Sequence, residues 1–528
     1  MVQEYTDPYD LVVVGAGVAG IIVAAKIAQQ GVNPKTGGPL RMALLERGPY
    51  LRGEARPGYG HPLRRWMFTN ITTEFRTGGR YTMGVFPEGP NGPNTFAISA
   101  GSLVGGGSLH YTAQTRDPQS VDYLAWQRET GVDWTQGNMA SAAEEIVRTF
   151  NIHPRPDELL PKFDLDFREA GTALGFEVSP TTVSKRNCLY SGYCDGQNMC
   201  KYDARAGSFV TYLPIAEKNG VQFVPDSEVQ RIIIEKGQAT GVTFIQNGIE
   251  YLTKANKVIF SCGILGSPVL LMRSGYGSRQ ELGNSLLVEN GNVVQNIDGR
   301  AGPFNVRAVF DTPMSDGAFH DGGFHLFHDT QPDKVHDRIQ LRSYHPTLGK
   351  PHQVALNALA PGFGREHKDF MRQICNPSLP SIHRDELLKQ GRVTVVVVHS
   401  SQMLGHTNMR AEMFYDIGHS SLRSLFLEGS KMAEEVLRSM KAREVIPDPR
   451  PVGRVGFLAW AGSCWAGTDP RNSVVNQFGE SHDVANLFVC DASILPRCAS
   501  QGSAGPTATV AAFIAERITQ RHFSTSGG

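Results

Sequence analysis

The chain has no excess of either charge: its 528 residues include 51 Lys and Arg against 51 Asp and Glu. Without a net field, nothing predicts attraction to nucleic acid or to an anionic membrane. No uninterrupted apolar run approaches the ~20 residues that a spanning helix needs, so no membrane span is expected. The opening MVQEYTDPYD lacks a basic stretch leading into an apolar core, and a cytoplasmic location is the expectation. Cysteine is scarce, eight residues in all, which argues against a dense disulfide scaffold. Repeat arrays and long low-complexity tracts are missing too. What is left is a chain long enough for roughly two to four domains with large cores.

Glycine is what the chain does have, and the most informative glycines stand near its start. In YDLVVVGAGVAG, the apolar run Leu11–Val14 suits a strand covered on both faces. Gly15, Gly17 and Gly20 follow as G-x-G-x-x-G, and an alanine-rich helical run continues to Ile27. The first glycine permits a tight turn, and the second lets a pyrophosphate approach the backbone. The third lets the helix pack close to the strand, and the phosphate charge sits at the helix N-terminus. A second strand, Met42–Leu45, ends in Glu46, placed to bind a ribose hydroxyl.

Farther on, residues 51–94 are rich in Gly, Pro and Arg and read as an irregular excursion over the nucleotide site. Residues 97–116 form a second glycine-dense segment. Helices are expected over 117–131, 138–150 and 209–218, and strands over 221–224, 229–235, 239–244 and 257–261. Beyond Arg300 the pattern changes to antiparallel strands at 306–311, 353–359 and 393–399, separated by long polar loops. A helix over 422–440, a strand over 485–490 leading to Asp491, and a helix over 507–518 close the chain.

Several segments, in order, resemble the glucose-methanol-choline (GMC) family of FAD-dependent oxidoreductases. They are YDLVVVGAGVAG with LLERG, LVGGGSLHYTAQTRD, CGILGSPVLLMRSGYG, GSCWAGTDPRNSVVN, NLFVCDASILP and GPTATVAAFIAER, spread over nearly the whole chain. The resemblance implies an α/β fold: a discontinuous Rossmann-like FAD-binding domain with an inserted substrate domain built on an antiparallel sheet. The FAD-binding part is expected at 1–116, 201–300 and 456–528, and the substrate part at 117–200 and 301–455. The family implies FAD as cofactor and oxidation of a CH–OH group by hydride transfer to flavin N5. A sugar, glycoside, terpenoid or steroid alcohol is the expected substrate, with oxygen or another electron acceptor as second partner. Carried over by position, Gly15, Gly17, Gly20 and Glu46 hold the ADP half of FAD, and the backbone of Val229 meets the adenine. Gly106, Gly107 and Ser108 lie along the pyrophosphate and flavin. Asp491 and Ala492 make late pyrophosphate contacts, and Pro506 and Thr507 border the flavin pyrimidine edge.

The pattern breaks where the family keeps its base. A His three residues before the Gly-Thr-Cys-type motif would fall at Ala459, and the Asn or His before Pro-Thr falls at Gly505. Neither side chain can accept a proton, and no His lies between His419 and His482. General-base help is typically worth ~10²–10⁴ in rate, so the loss matters. His399, at the end of an expected strand, is one candidate base, or else a strand-end His turned to water. His110 and Tyr111, in the flavin-flanking motif, are candidates to orient substrate or touch the isoalloxazine. The alternative function is a lyase, isomerase, cyclase or decarboxylase on the same FAD scaffold. Two further clusters invite a metal reading. Cys188, Cys194 and Cys200 resemble part of a family cysteine motif, but Ser191 and Ala204 interrupt it, and plain thiols are expected. His320, His325, His328, His336 and His345, read as a His-rich loop, match no closed metal site. No metal is expected.

Overall fold

The computed structural model describes residues 2–50, 78–89, 92–109, 111, 113–135, 139–190, 200, 203–317, 323–330, 338–346, 365, 381–398, 406–407, 409, 413–416, 420–448, 457–500 and 502–524. Of these, 78–89, 92–100, 299–304, 381–384, 407, 413–416, 420–421 and 457–458 are described by backbone alone.

Two sheets position the site. The first is five-stranded, in the order Leu487–Val489, Val258–Phe260, Leu11–Val14, Met42–Leu45 and Gln222–Val224, and every pairing is parallel. Leu11–Val14 is wholly buried, as a strand covered on both faces must be. The chain leaves this central strand toward Met42–Leu45 on one side and returns as Val258–Phe260 on the other. That reversal makes a switch point at the strand C-termini, where Gly15 faces Ser261. The helices Val18–Gln30 and Ala504–His522 pack over the sheet, with Ile21, Ile22, Ala511 and Ile514 fully buried or nearly so.

The second sheet is seven-stranded and antiparallel. Its path is Glu444–Ile446, Asp298–Val309, Gln390–Val398, Arg338–Tyr344, Phe324–Asp329 and Glu177–Pro180, with Phe457–Ala461 also pairing to Asp298–Val309. One face carries Val306, Ala308, Leu326, Ile339, Leu341, Val393, Val395 and Val397 into a core closed by the helices Lys162–Ala173 and Ser420–Ser439. The alternating partners point to the opposite face.

Three expectations need correction. Where residues 51–94 read as irregular, Gly78–Gly89 and Gly92–Gly101 form an antiparallel hairpin, because small and β-favouring residues alternate there without a helical period. His325 and His328 do not belong to a loop: they sit in the strand Phe324–Asp329. The polar stretch beyond Arg300 also holds the strand Arg338–Tyr344. The expected strand at 353–359 lies outside the described residues. Trp126, Trp134, Ile146 and Phe150 pack into the core of the parallel sheet, and side chains join the second core only from Leu160 onward.

Candidate active site

Gly15 ends the first strand with φ +95°, and its N–H donates to the Leu45 carbonyl at 2.8 Å. A Cβ there would stand 2.5 Å from the Ser261 carbonyl oxygen, and a Cβ on Gly20 would stand 1.9 Å from the Gly15 carbonyl oxygen. Both positions exclude a side chain by packing. Gly17 differs, since an added Cβ meets nothing within 4 Å. It caps the helix Val18–Gln30 without a side-chain hydrogen bond, and the first turn holds no acidic residue. Open space before an uncapped, unneutralised helix N-terminus fits a pyrophosphate. The second glycine loop closes on the first: the Gly105 N–H donates to the Ala16 carbonyl at 2.7 Å, and a Cβ on Gly106 would reach Gly17 Cα at 2.9 Å. Gly107 also faces open space, while the Ser108 hydroxyl donates to the Gly105 carbonyl at 2.6 Å.

Glu46 is buried and accepts the N–H groups of Ala16 and Gly48, each at 2.9 Å. Burial pushes its carboxyl up, and those two hydrogen bonds pull it back. A carboxylate has about four lone-pair sites, so two accepted bonds leave capacity for ribose hydroxyls. Val229 stands at a register break between the strands Ser227–Glu235 and Gln238–Gln246. The Asp491 carboxylate accepts from Ser493 N–H at 2.7 Å, Gly263 N–H at 2.9 Å and the Ser267 hydroxyl at 2.6 Å. It thereby ties the start of the helix Gly263–Arg273 to the last parallel strand, beside Gly15. The Ala492 carbonyl accepts from Gly462 N–H at 3.1 Å. Pro506 and Thr507 lie in the first turn of Ala504–His522, another helix whose N-cap makes no side-chain bond. The turn Ser261–Gly263, at the switch point, went unassigned in the sequence reading although its motif was visible.

Ala459 and Gly505, the positions expected for the catalytic pair, carry no acid or base side chain. Ala459 is the extra residue of a bulge, with φ +54°: Trp460 pairs with Gly299 and Leu458 with Arg300, leaving it unpaired. Gly505 is closed by backbone, because a Cβ would stand 1.8 Å from the Arg116 carbonyl oxygen. Of the sequence candidates, His110 and His399 lie outside the described residues. The Tyr111 hydroxyl is engaged with the Ser184 hydroxyl at 2.6 Å, and the Arg205 guanidinium lies 5.6 Å from its ring. Burial pushes the Cys464 and Cys490 thiols up, which keeps them protonated. Among the described residues, no group of three or more His, Cys, Asp and Glu could hold a metal. Cys188 and Cys200 are free thiols, and Cys194 lies outside the described residues.

What the sequence reading missed is the polar face of the antiparallel sheet. Ser179, His325, Arg342, Thr394 and Asn305 are paired in succession across five strands, so they form one row on one face. All five are buried. Gln340 and Tyr344, two residues either side of Arg342, share the face. Two contacts join it to other segments: Gln340 Nε2 donates to the carbonyl of Ser500, just ahead of the helix Ala504–His522, at 3.1 Å, and Arg342 donates to Gln114 Oε1, past the second glycine loop. The signal was present as strict alternation in RIQLR, the start of the strand Arg338–Tyr344.

Models of the GMC oxidoreductase family match residues 9–290 and 409–513. An uncharacterized GMC-type oxidoreductase of Mycobacterium tuberculosis is 25% identical over 517 residues, 93% of this chain and 72% of that protein. A long-chain-alcohol oxidase of Arabidopsis thaliana is 22% identical, covering 92% of this chain and 64% of that one. In fold, the chain matches pyridoxine 4-oxidase from Mesorbium loti with a TM-score of 0.69 at 17% identity, over 97% of this chain and 100% of that one. It matches formate oxidase of Aspergillus oryzae with a TM-score of 0.71 at 16% identity, over 98% and 99%. With one family model covering more than half of its length, the chain belongs to the GMC oxidoreductases: it is an oxidoreductase, and its cofactor is FAD.

Proposed function

We propose that this enzyme oxidises a CH–OH group of a small molecule, with oxygen or another acceptor taking the electrons. One observation supports the reading: the buried polar face of the antiparallel sheet bonds, through Arg342–Gln114 and Gln340–Ser500, to the chain just past the second glycine loop and just ahead of the helix Ala504–His522. Bound FAD supplies the two-electron acceptor for the hydride that leaves the carbinol carbon. The chain's own residues do the rest. Gly17, Gly107 and the helix N-terminus behind Gly17 receive the pyrophosphate, with Gly15, Gly20 and Gly106 shaping the loops around it. Glu46 accepts from ribose hydroxyls, and the Val229 backbone meets the adenine. Asp491 fixes the turn beside Gly15, Ala492 flanks it, and Pro506 and Thr507 border the pyrimidine edge. In place of the absent pair, His325 takes the hydroxyl proton from its position beside Arg342, a task an imidazole can perform near neutral pH. The name of the Arabidopsis relative supports an alcohol as substrate.

A second reading, non-oxidative chemistry on the same scaffold, is favoured by Ala459 and by the closure of Gly505. Anaerobic mixing of the yellow enzyme with a panel of alcohols separates the two. Bleaching of the oxidised flavin band by an alcohol is expected. Conversion of a substrate with no bleaching and no use of an acceptor would sink the first reading in favour of the second.

A further inference from the structure

We propose that the substrate carries a carboxylate and that Arg342 binds it. The inference deepens the function just given and rests on its premise that this sheet face overlies FAD. Two other buried guanidinium groups are matched by acids. Arg338 is flanked by Asp329 at 2.7 Å and by Glu177. Arg497 has Glu129 at 2.7 Å and Asp298 at 3.8 Å. Arg342 is only 7% exposed, yet among the described residues it contacts no carboxylate. Its partners are the neutral amide oxygen of Gln114 and, at 5.8 Å, the Tyr344 ring. The Arg392 guanidinium lies 4.4 Å from the centroid of the same ring.

A guanidinium withdrawn from water without a counter-charge is costly, and such a site is completed by an anion that arrives with the ligand. Gln114 takes a single donor of a five-donor fork, so the remaining N–H groups can meet two carboxylate oxygens side by side. The neighbours in the row, Ser179, His325, Thr394 and Asn305, offer hydrogen-bonding groups and no negative charge. A hydroxy acid held there by its carboxylate presents its carbinol to the rest of the face. Neutral alcohols of the same shape lack the group that Arg342 requires.

The test uses the FAD-loaded full chain and matched pairs of probes: benzoate and benzamide, mandelate and its methyl ester, glucuronate and glucose. Binding is followed by calorimetry and by the flavin difference spectrum. At least one acid is expected to bind ten times more tightly than its neutral partner. Arg342→Met should abolish that preference while leaving FAD content unchanged, and Arg342→Lys should recover part of it. Equal binding of acids and neutral partners, or an undiminished preference in Arg342→Met, overturns the proposal. So does a folded but colourless Arg342→Met, which would assign the charge to the cofactor. If that variant fails to fold, Arg342→Gln is read in the same way. Anaerobic reduction is scored separately: acids that bind through Arg342 but reduce nothing refute the oxidation and spare this site. Neutral alcohols that bleach the flavin with no preference for acids do the reverse.

Discussion

Replacing Gly505 by alanine tests whether the missing partner of the catalytic pair is excluded by the fold. Gly505 lies in the first turn of the helix Ala504–His522. In an exposed helix, alanine is favoured over glycine by about 1 kcal/mol, so the naive expectation is a gain in stability. Here the new Cβ would start 1.8 Å from the Arg116 carbonyl oxygen and 2.6 Å from its carbon, and real Cβ atoms essentially never come closer than 3.0 Å. Helix or loop must therefore part by about 1.2 Å. The loop is held: the Arg116 guanidinium donates to the Ser179 hydroxyl and, at 3.0 Å, to Gln119 Oε1. The helix is held as well, by Ala508, Ala511 and Ala512 in the main core. Overpacking of this kind costs typically 1–3 kcal/mol, so after the gain of about 1 kcal/mol the net effect should be a loss of up to about 2 kcal/mol. Gly505→Asn, which restores the residue expected in relatives, should lose at least as much and should not speed flavin reduction. Denaturant unfolding of the FAD-loaded protein, followed by flavin fluorescence, reads the difference. A midpoint for Gly505→Ala equal to or above that of the parent would refute the reasoning.

Three further outcomes are expected. Gly17→Ala should leave the fold intact, because its Cβ meets nothing in the protein, but it should lower FAD content after purification; a fully yellow variant would contradict the position given to the pyrophosphate. His325→Gln should slow anaerobic flavin reduction at least tenfold, at the low end of what general-base assistance supplies; an unchanged rate removes His325 as proton acceptor. The third concerns His522, where burial, aided by Lys257 and Arg521, lowers the imidazole pKa to about 4. Because the unfolded chain takes the proton first, near pH 6.5, stability should fall as pH drops from about 6.5 to 4 and then level off. The side chain is partly exposed, so solvent screening holds the effect to the order of 1 kcal/mol. His522→Gln should flatten that part of the profile in urea unfolding, and an unchanged slope would assign it to other groups.

The sequence by itself determined the dinucleotide half. Gly15, Gly17 and Gly20 between an apolar strand and an alanine-rich helix are local features, dictated by backbone sterics within a dozen residues. They were legible, as were the acid at Glu46 and the order of the motifs. The expectation that Ala459 and Gly505 replace the family's catalytic pair needed only the motif spacing. Tertiary structure alone decided the rest. Whether Gly505 could ever carry a side chain depends on the Arg116 carbonyl, 389 residues away in the chain. The row from Ser179 to Asn305 exists only through cross-strand register, which brings together residues from five separate strands. Alternation in one strand tells that half its residues share a face, but not which neighbours stand beside them. That is why His325 and Arg342 read as parts of polar loops until the sheet aligned them: register is a property of pairing, and pairing is non-local.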